Sequence, residues 1–149
     1  MPAASQPSER IGIIATIDPQ TISNTELFTD VVDMSKWHEV MAIVQWGNMA
    51  SEALDFRAVS TASDGTGATA ITGKAITQVA AHASNNDNTQ HIINLKSQEI
   101  ASGTVRYVKF GAVTGGATGG PANVIVLGLV PRHGPVTDND LSTVTSIIS

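Results

Sequence analysis

Short segments of alternating apolar residues, separated by turn signals, limit what this chain can fold into. Leu54, Phe56 and Ala58 alternate with Asp55 and Arg57, which is the pattern of a strand with one buried face. Segments rich in β-branched residues recur along the chain: 10–17, 37–47, 52–62, 91–97, 104–115 and 123–131. No long amphipathic helix is visible. The sequence therefore predicts an all-β, single-domain fold, either an antiparallel β-sandwich or a jelly-roll-like barrel.

Turn residues predict where these strands end. The pair Asp64-Gly65 is the sharpest hairpin signal, because Gly adopts the left-handed conformation that tight turns need. Asp18-Pro19 is expected to stop the first strand and Pro131 the last. Residues 68–81 are compatible with strand or helix, and their β-branched content favours strand.

The segment 37–47 is the best candidate for a central strand. Its alternate residues form two sets, Met41, Ile43 and Gln45 on one face and Ala42, Val44 and Trp46 on the other. Both sets are mostly apolar. The strand is therefore expected to be covered on both sides or to face a partner subunit.

The two ends of the chain differ from its middle. Residues 1–9 are small and polar with two prolines, and residues 136–149 have few apolar side chains. We expect a loose N-terminal arm, a sandwich domain over 10–135 and a C-terminal tail, with arms that order against neighbours. No basic leader or membrane-length apolar run is present, so we expect neither Sec export nor a membrane partner.

Composition excludes several classes of function. The formal net charge of −5 argues against binding to nucleic acid. The absence of cysteine excludes disulfides and thiol catalysis. Charged residues make up only 14% of the chain, against about 25% in typical soluble domains. A surface with so few charges favours packing against other protein copies.

Candidate catalytic and metal-binding motifs fail on spacing. The glycine-rich stretch before Lys74 is too long for a phosphate-binding loop, and Ala75 stands where Ser or Thr should hold magnesium. His82 and His91 flank one polar loop and could meet across a hairpin, but two imidazoles alone do not hold a catalytic metal. We expect no enzyme activity, cofactor or metal.

The two tryptophans, Trp37 and Trp46, are candidate anchors. They stand nine positions apart in one predicted strand, so alternation places them on opposite faces. One is expected in the core. The other is expected to anchor a subunit interface or to stack on a sugar ring.

Three stretches together resemble a known family. They are "ITGKAITQVAAHASNNDNTQHIINLKSQEI" (71–100), "VRYVKFGAVTGG" (105–116) and "VIVLGLVPRHGP" (124–135). Their order is similar to that of small structural proteins encoded among the virion genes of tailed bacteriophages. His133 stands where that family often has an aromatic residue.

The resemblance implies a capsid decoration (cement) protein on the outer surface of the virion head. Its implied partners are the major capsid protein and copies of itself, as a homotrimer. Expected contact residues are Arg10 in the arm, Arg132 and His133 between two prolines, and Leu141 and Ile147 in the tail. Alternatives are another virion component (a head–tail connector, tail tube or fibre-base subunit) or a carbohydrate-binding module.

Overall fold

The computed structural model describes residues 6–49, 52–81, 87–100, 105–133, 136 and 139–147. These residues form nine strands: β1 (Gly12–Ile22), β2 (Leu27–Phe28), β3 (Val32–Asp33), β4 (Trp37–Trp46), β5 (Leu54–Thr61), β6 (Thr69–Ala75), β7 (Gln90–Lys96), β8 (Tyr107–Thr114) and β9 (Gly120–Pro131). One helical turn, α1 (Pro7–Arg10), precedes β1, and a 3₁₀ helix (Ser97–Ile100) follows β7.

The strands form two antiparallel sheets that pack face to face. Sheet I has the strand order β1-β9-β4-β7, and sheet II has the order β2-β8-β5-β6, with β3 also paired to β8. The prediction of an all-β fold is confirmed in its sandwich form. The predicted central strand is β4, which pairs with β9 on one side and β7 on the other.

The core lies between the sheets and follows from the alternation in the sequence. Leu54, Phe56 and Ala58 of β5 are buried, as their spacing predicts. Phe56 packs against Phe110 of β8 with ring centroids 6.3 Å apart. Val44 contributes to the same core from sheet I. These side chains join the two sheets, because each sheet buries one face against the other.

Strand β1 extends beyond the predicted stop at Asp18-Pro19, so that prediction is wrong. The strand continues through Pro19 to Ile22. Two conditions allow this. β1 lies at the edge of sheet I, and its register with β9 is irregular between Ile17 and Gln20. Proline is tolerated at such a position because no ladder hydrogen bond requires its missing N–H.

The predicted hairpin turn at Asp64-Gly65 is confirmed. Gly65 has φ +82° and donates its N–H to the carbonyl of Ala62 at 3.0 Å. The Asp64 carboxylate accepts hydrogen bonds from the backbone N–H and the hydroxyl of Thr66, at 2.9 and 2.7 Å. The turn joins β5 to β6, which is the strand favoured for part of 68–81.

The ends of the chain contact the chain itself. Gln6 and Glu9 form a capping box that starts α1, within what was expected to be a loose arm; residues 1–5 lie outside the described part. In the tail, Val136 donates its N–H to the carbonyl of Glu9 at 3.2 Å. Asp140 donates its N–H to the carbonyl of Ile13 at 2.7 Å. The described tail therefore runs along the edge of β1 rather than ordering only against neighbours.

Candidate interaction surfaces

The outer side of sheet I, which faces away from sheet II, carries a continuous set of aliphatic side chains. Directly paired residues in adjacent strands point to the same side of a sheet, so the register assigns this surface. Two neighbouring rows cross all four strands: Ile13, Leu127, Met41 and Asn94 in one, and Thr16, Ile125, Ile43 and Ile92 in the other. We call these eight residues the apolar face.

The apolar face is partly exposed to solvent in the described part of the chain. Met41, Ile43, Ile125 and Leu127 are half-buried. Ile125 also lines a groove together with Thr143 and Val144 of the C-terminal tail. Ile92, on the edge strand β7, is 54% exposed. A contiguous exposed apolar patch of this kind is a mark of a binding surface.

The apolar face has polar ends. At one end Glu39 and Lys96 stand on neighbouring strands, with 4.0 Å between the Lys96 Nζ and the nearest Glu39 oxygen. At the other end lie Gln45 and its register partners Asn123 and Gln90. The face therefore combines an aliphatic centre with a polar rim, which is the arrangement found at protein–protein interfaces.

The outer side of sheet II differs, because its charged groups are paired within the chain. Arg57 makes two hydrogen bonds of 2.7 Å to the Glu26 carboxylate. Arg106 makes a similar bidentate contact with Asp33, at 2.8 and 2.6 Å. The Arg106 guanidinium holds the pKa of the Asp33 carboxyl well below its usual range. Lys109 donates to the carbonyl of Gly65 at 2.8 Å.

A groove on the outer side of sheet II is lined by charged groups that are paired within the chain. It has a volume of about 270 Å³ and is lined by Glu26, Arg57 and Asp55. The Asp55 carboxylate accepts a hydrogen bond from the Gln78 amide, so the three charged groups all have partners. The groove therefore offers no unpaired acid or base for catalysis.

A basic end of the sandwich brings together residues that are distant in sequence. Gly12 of β1 pairs with Gly128 of β9. Arg10 ends α1 just before β1, and Arg132 immediately follows β9, so the two residues lie beyond this paired end. The N–H of Arg132 also bonds to the carbonyl of Lys36 at 2.9 Å. We define the basic end as Arg10, Lys36, Lys96, Arg132 and His133. Three acids lie at the same end, Glu9, Glu39 and Glu99, and the Glu99 carboxylate accepts a hydrogen bond from the backbone N–H of Lys96 at 2.7 Å.

The predicted contact residues Arg10, Arg132 and His133 are therefore brought to one end of the molecule, and all three are exposed. The Arg132 guanidinium donates to the Ser97 hydroxyl at 3.1 Å. Sequence reasoning missed Lys36 and Lys96. Lys36 immediately precedes the predicted central strand and Lys96 lies near the end of the predicted strand 91–97, so antiparallel pairing of these two strands would have placed them together.

The two tryptophans are not surface anchors. Trp37 is 1% exposed and Trp46 is 2% exposed, and both belong to one core cluster. A Cβ atom added to Gly128 would lie 2.6 Å from the Trp37 ring. Gly128 shares its side of the sheet with the buried Val40, so the Trp37 indole lies on the core side.

The prediction that the two indoles point to opposite faces is therefore wrong. Trp37 is the first residue of β4, and its register partner Pro131 follows Val130, which has φ +50°. Regular alternation fails at this end of the sheet. The glycine at position 128 leaves the space that the indole fills.

His91 has a structural contact rather than a metal-binding one. Its Nδ1 accepts a hydrogen bond from the Trp46 indole N–H at 3.1 Å. Burial lowers the pKa of His91, which favours the neutral ring that can accept this bond. Its proposed partner His82 lies outside the described residues.

The tail forms a ridge along the β1 side of the apolar face. The Thr143 hydroxyl donates to the Asp18 carboxylate at 3.2 Å. Between this ridge and the sheet lies a groove of about 200 Å³. The predicted contact residues Leu141 and Ile147 are 39% and 58% exposed on the tail. Their exposure is compatible with a role in contacts.

Three carboxyl groups meet where the tail crosses β1. Asp140 lies within hydrogen-bonding distance of Asp30, and Asp18 is close enough to act on Asp30 electrostatically. Burial, followed by the Asp140 charge, raises the pKa of Asp30. Across the described residues no group of three or more acidic, histidine or cysteine side chains has a metal-binding arrangement.

No protein-family model matches this chain, and no curated protein matches it. In the part of the chain that the structure describes, no helix is long and apolar enough to cross a membrane.

Proposed function

We propose that this protein is a structural subunit of a bacteriophage virion, and specifically a capsid decoration protein that stabilises the head shell through protein–protein contacts. The observation that carries the proposal is the apolar face on the outer side of sheet I. Its aliphatic centre and polar rim suit burial against protein. The resemblance of residues 71–135 to virion structural proteins supplies the identity of the assembly.

The basic end supports contact with a second partner. The chain has a formal net charge of −5, yet Arg10, Lys36, Lys96 and Arg132 lie at one end of the sandwich. A molecule with this charge distribution presents that end to an acidic partner surface. In the proposed role the partner is the major capsid protein, and the site is the outer surface of the shell.

The same surfaces would serve another virion component, such as a connector, tail tube or fibre-base subunit. Copy number separates these roles, because decoration requires many copies on each particle. The sugar-binding alternative required an exposed Trp37 or Trp46, and the burial of both side chains removes that support. The homotrimer implied by the resemblance stays a prediction.

The test is co-sedimentation of the purified protein with shells assembled from the major capsid protein of the same genome. We expect saturable binding at many copies per shell. The variant Arg132→Glu should bind at least tenfold more weakly, whereas Lys109→Glu, on the outer side of sheet II, should bind normally. No binding by the unaltered protein would refute the decoration role, and binding at about a dozen copies would favour a connector.

A further inference from the structure

We propose that the apolar face binds the apolar face of a second copy of this chain, so that the two sandwiches pair about a two-fold axis that runs along the strands. The inference deepens the proposed function and rests on it for the biological role of the pair. The pairing itself is argued from the size, symmetry and charge of the face.

The outer side of sheet I is large enough to form a stable dimer interface. Sheet I has four strands, and β4 is ten residues long. With strands about 4.8 Å apart and about 3.3 Å per residue, its plan area is roughly 600 Å². Side-chain relief makes the accessible area larger than the plan area. It therefore approaches the figure of about 800 Å² per partner that is typical of stable complexes.

The centre of the apolar face is complementary to the same centre on a second copy. The four central side chains are Leu127 and Ile125 on β9, and Met41 and Ile43 on β4. A two-fold axis between β9 and β4 places Leu127 opposite Met41 of the second copy, and Ile125 opposite Ile43. Every central contact is then aliphatic on aliphatic, as an isologous interface requires.

The charge on this side of the molecule permits the contact. Two chains with a net charge of −5 repel each other at most approaches. Around the apolar face, however, the described charged groups on the strands of sheet I are few: Glu39 and Lys96 at one end, and Asp18 on the edge strand β1. The proposed axis places Asp18 opposite β7 of the second copy, so the two copies of this acid lie at opposite edges of the interface.

The direction of the axis follows from the ridge and the basic end. An axis along the strands places β7 of one copy opposite β1 of the other, so that the exposed Ile92 approaches the ridge that carries Leu141. It also points both basic ends in the same direction. A pair arranged in this way presents two basic ends to one surface, which multiplies a weak contact with a shell.

The first test is the mass of the purified protein in solution by light scattering, at chain concentrations up to about 100 µM, well above a micromolar Kd. We expect twice the chain mass of 15.5 kDa. Ile43→Lys should reduce the mass to that of one chain. Val113→Lys, on the outer side of sheet II, should remain a pair. If Ile43→Lys fails to fold, Ile92→Lys replaces it, because Ile92 is already 54% exposed.

A single-chain mass for the unaltered protein would overturn the inference. So would a mass of three chains, the homotrimer that the resemblance implies, because a single self-matching face pairs two copies and not three. A pair that is broken by Val113→Lys and kept by Ile43→Lys would also overturn it.

The orientation is tested by cross-linking, since the chain has no cysteine of its own. A mixture of Ile13→Cys and Asn94→Cys proteins should cross-link through a short bis-maleimide, because β1 and β7 face each other in the proposed pair. Asn94→Cys alone should not cross-link. The reverse result would mean that β7 faces β7 and would reject the proposed axis.

The failure of this inference and the failure of the proposed function give different results. A monomer that binds shells in a manner that depends on Ile43 means that the apolar face meets the shell. The decoration role then stands and the pairing is wrong. A stable pair that does not bind shells keeps the pairing and rejects the decoration role.

Discussion

The outer sides of the two sheets carry different kinds of side chain. On sheet II the charged groups bind each other, as Arg57 binds Glu26 and Arg106 binds Asp33. On sheet I the corresponding positions carry Met41, Ile43 and their aliphatic neighbours. A surface whose polar groups are satisfied within the chain gains little from a partner, whereas exposed aliphatic groups gain from being buried. This difference points to sheet I as the side that binds protein.

The two sheets share one hydrophobic core, and the substitution with the largest expected effect on stability tests this. Phe110→Ala removes the ring that packs against Phe56 between the sheets. We expect a loss of about 3–5 kcal/mol in the free energy of unfolding. Urea denaturation followed by circular dichroism and by tryptophan fluorescence should give coincident curves. Two separate transitions would show that the sheets do not share a core.

A smaller effect is expected from the ion pairs of sheet II. Arg57→Ala should lower the free energy of unfolding by about 0.5–1 kcal/mol, since the side chain is 43% exposed and solvent screens the pair. The loss should shrink in high salt. A double-mutant cycle with Glu26→Gln measures the coupling, and a coupling of zero would mean that the pair does not stabilise this side.

On sheet I, polar substitution should change binding to apolar probes more than it changes stability. Ile92→Thr should shift the free energy of unfolding by no more than about 0.5 kcal/mol, because the side chain is largely exposed. It should clearly reduce the fluorescence of an apolar dye bound to the native protein. Val113→Thr on sheet II is the control and should leave dye binding unchanged. Equal losses in the two variants would remove the distinction between the sides.

The smallest effect concerns two aspartates whose pKa values shift in opposite directions. The pKa of Asp33 is lowered by Arg106, so its contribution to stability is present above the ordinary value of 3.8 and is lost as the pH falls through the folded value. The pKa of Asp30 is raised by burial and by Asp140 and Asp18. Its contribution is full below 3.8 and is lost as the pH rises through the folded value.

At neutral pH, Asp33→Asn should therefore destabilise the protein and Asp30→Asn should stabilise it. Urea unfolding from about pH 2 to pH 7 measures both slopes, because the Asp33 slope lies below pH 3.8 and the Asp30 slope lies above it. Hydrogen exchange at the Asp140 amide reports whether the Asp30 effect acts through the tail. The same sign for both variants would contradict the pKa assignments.

Much of the candidate surface could have been found from the sequence. The predicted strand 37–47 is apolar at both sets of alternate positions, and Met41 and Ile43 fall in one set, although alternation did not show which set faces outward. The run 123–131 has the same property, so Ile125 and Leu127 could have been added by the same argument. The sequence does not show that β4 pairs with β9. This pairing joins strands about 80 residues apart into one surface.

The tryptophan prediction failed for a local reason. Alternation holds through the middle of β4, where Ala42, Val44 and Trp46 are buried as expected. It fails at Trp37, because the glycine at position 128 on the neighbouring strand leaves room for the indole on the core side. Residues 37–46 by themselves do not show that Gly128 lies beside Trp37.

The sequence by itself determined the fold class, the hairpin at Asp64-Gly65 and the buried side of β5. These features depend on local conformational preference and on alternation, which act over a few residues. Only the tertiary structure decided which strands are neighbours, how the tail lies on β1 and which charges find partners. These depend on contacts between distant segments, and such contacts exist only after the core has brought the two sheets together.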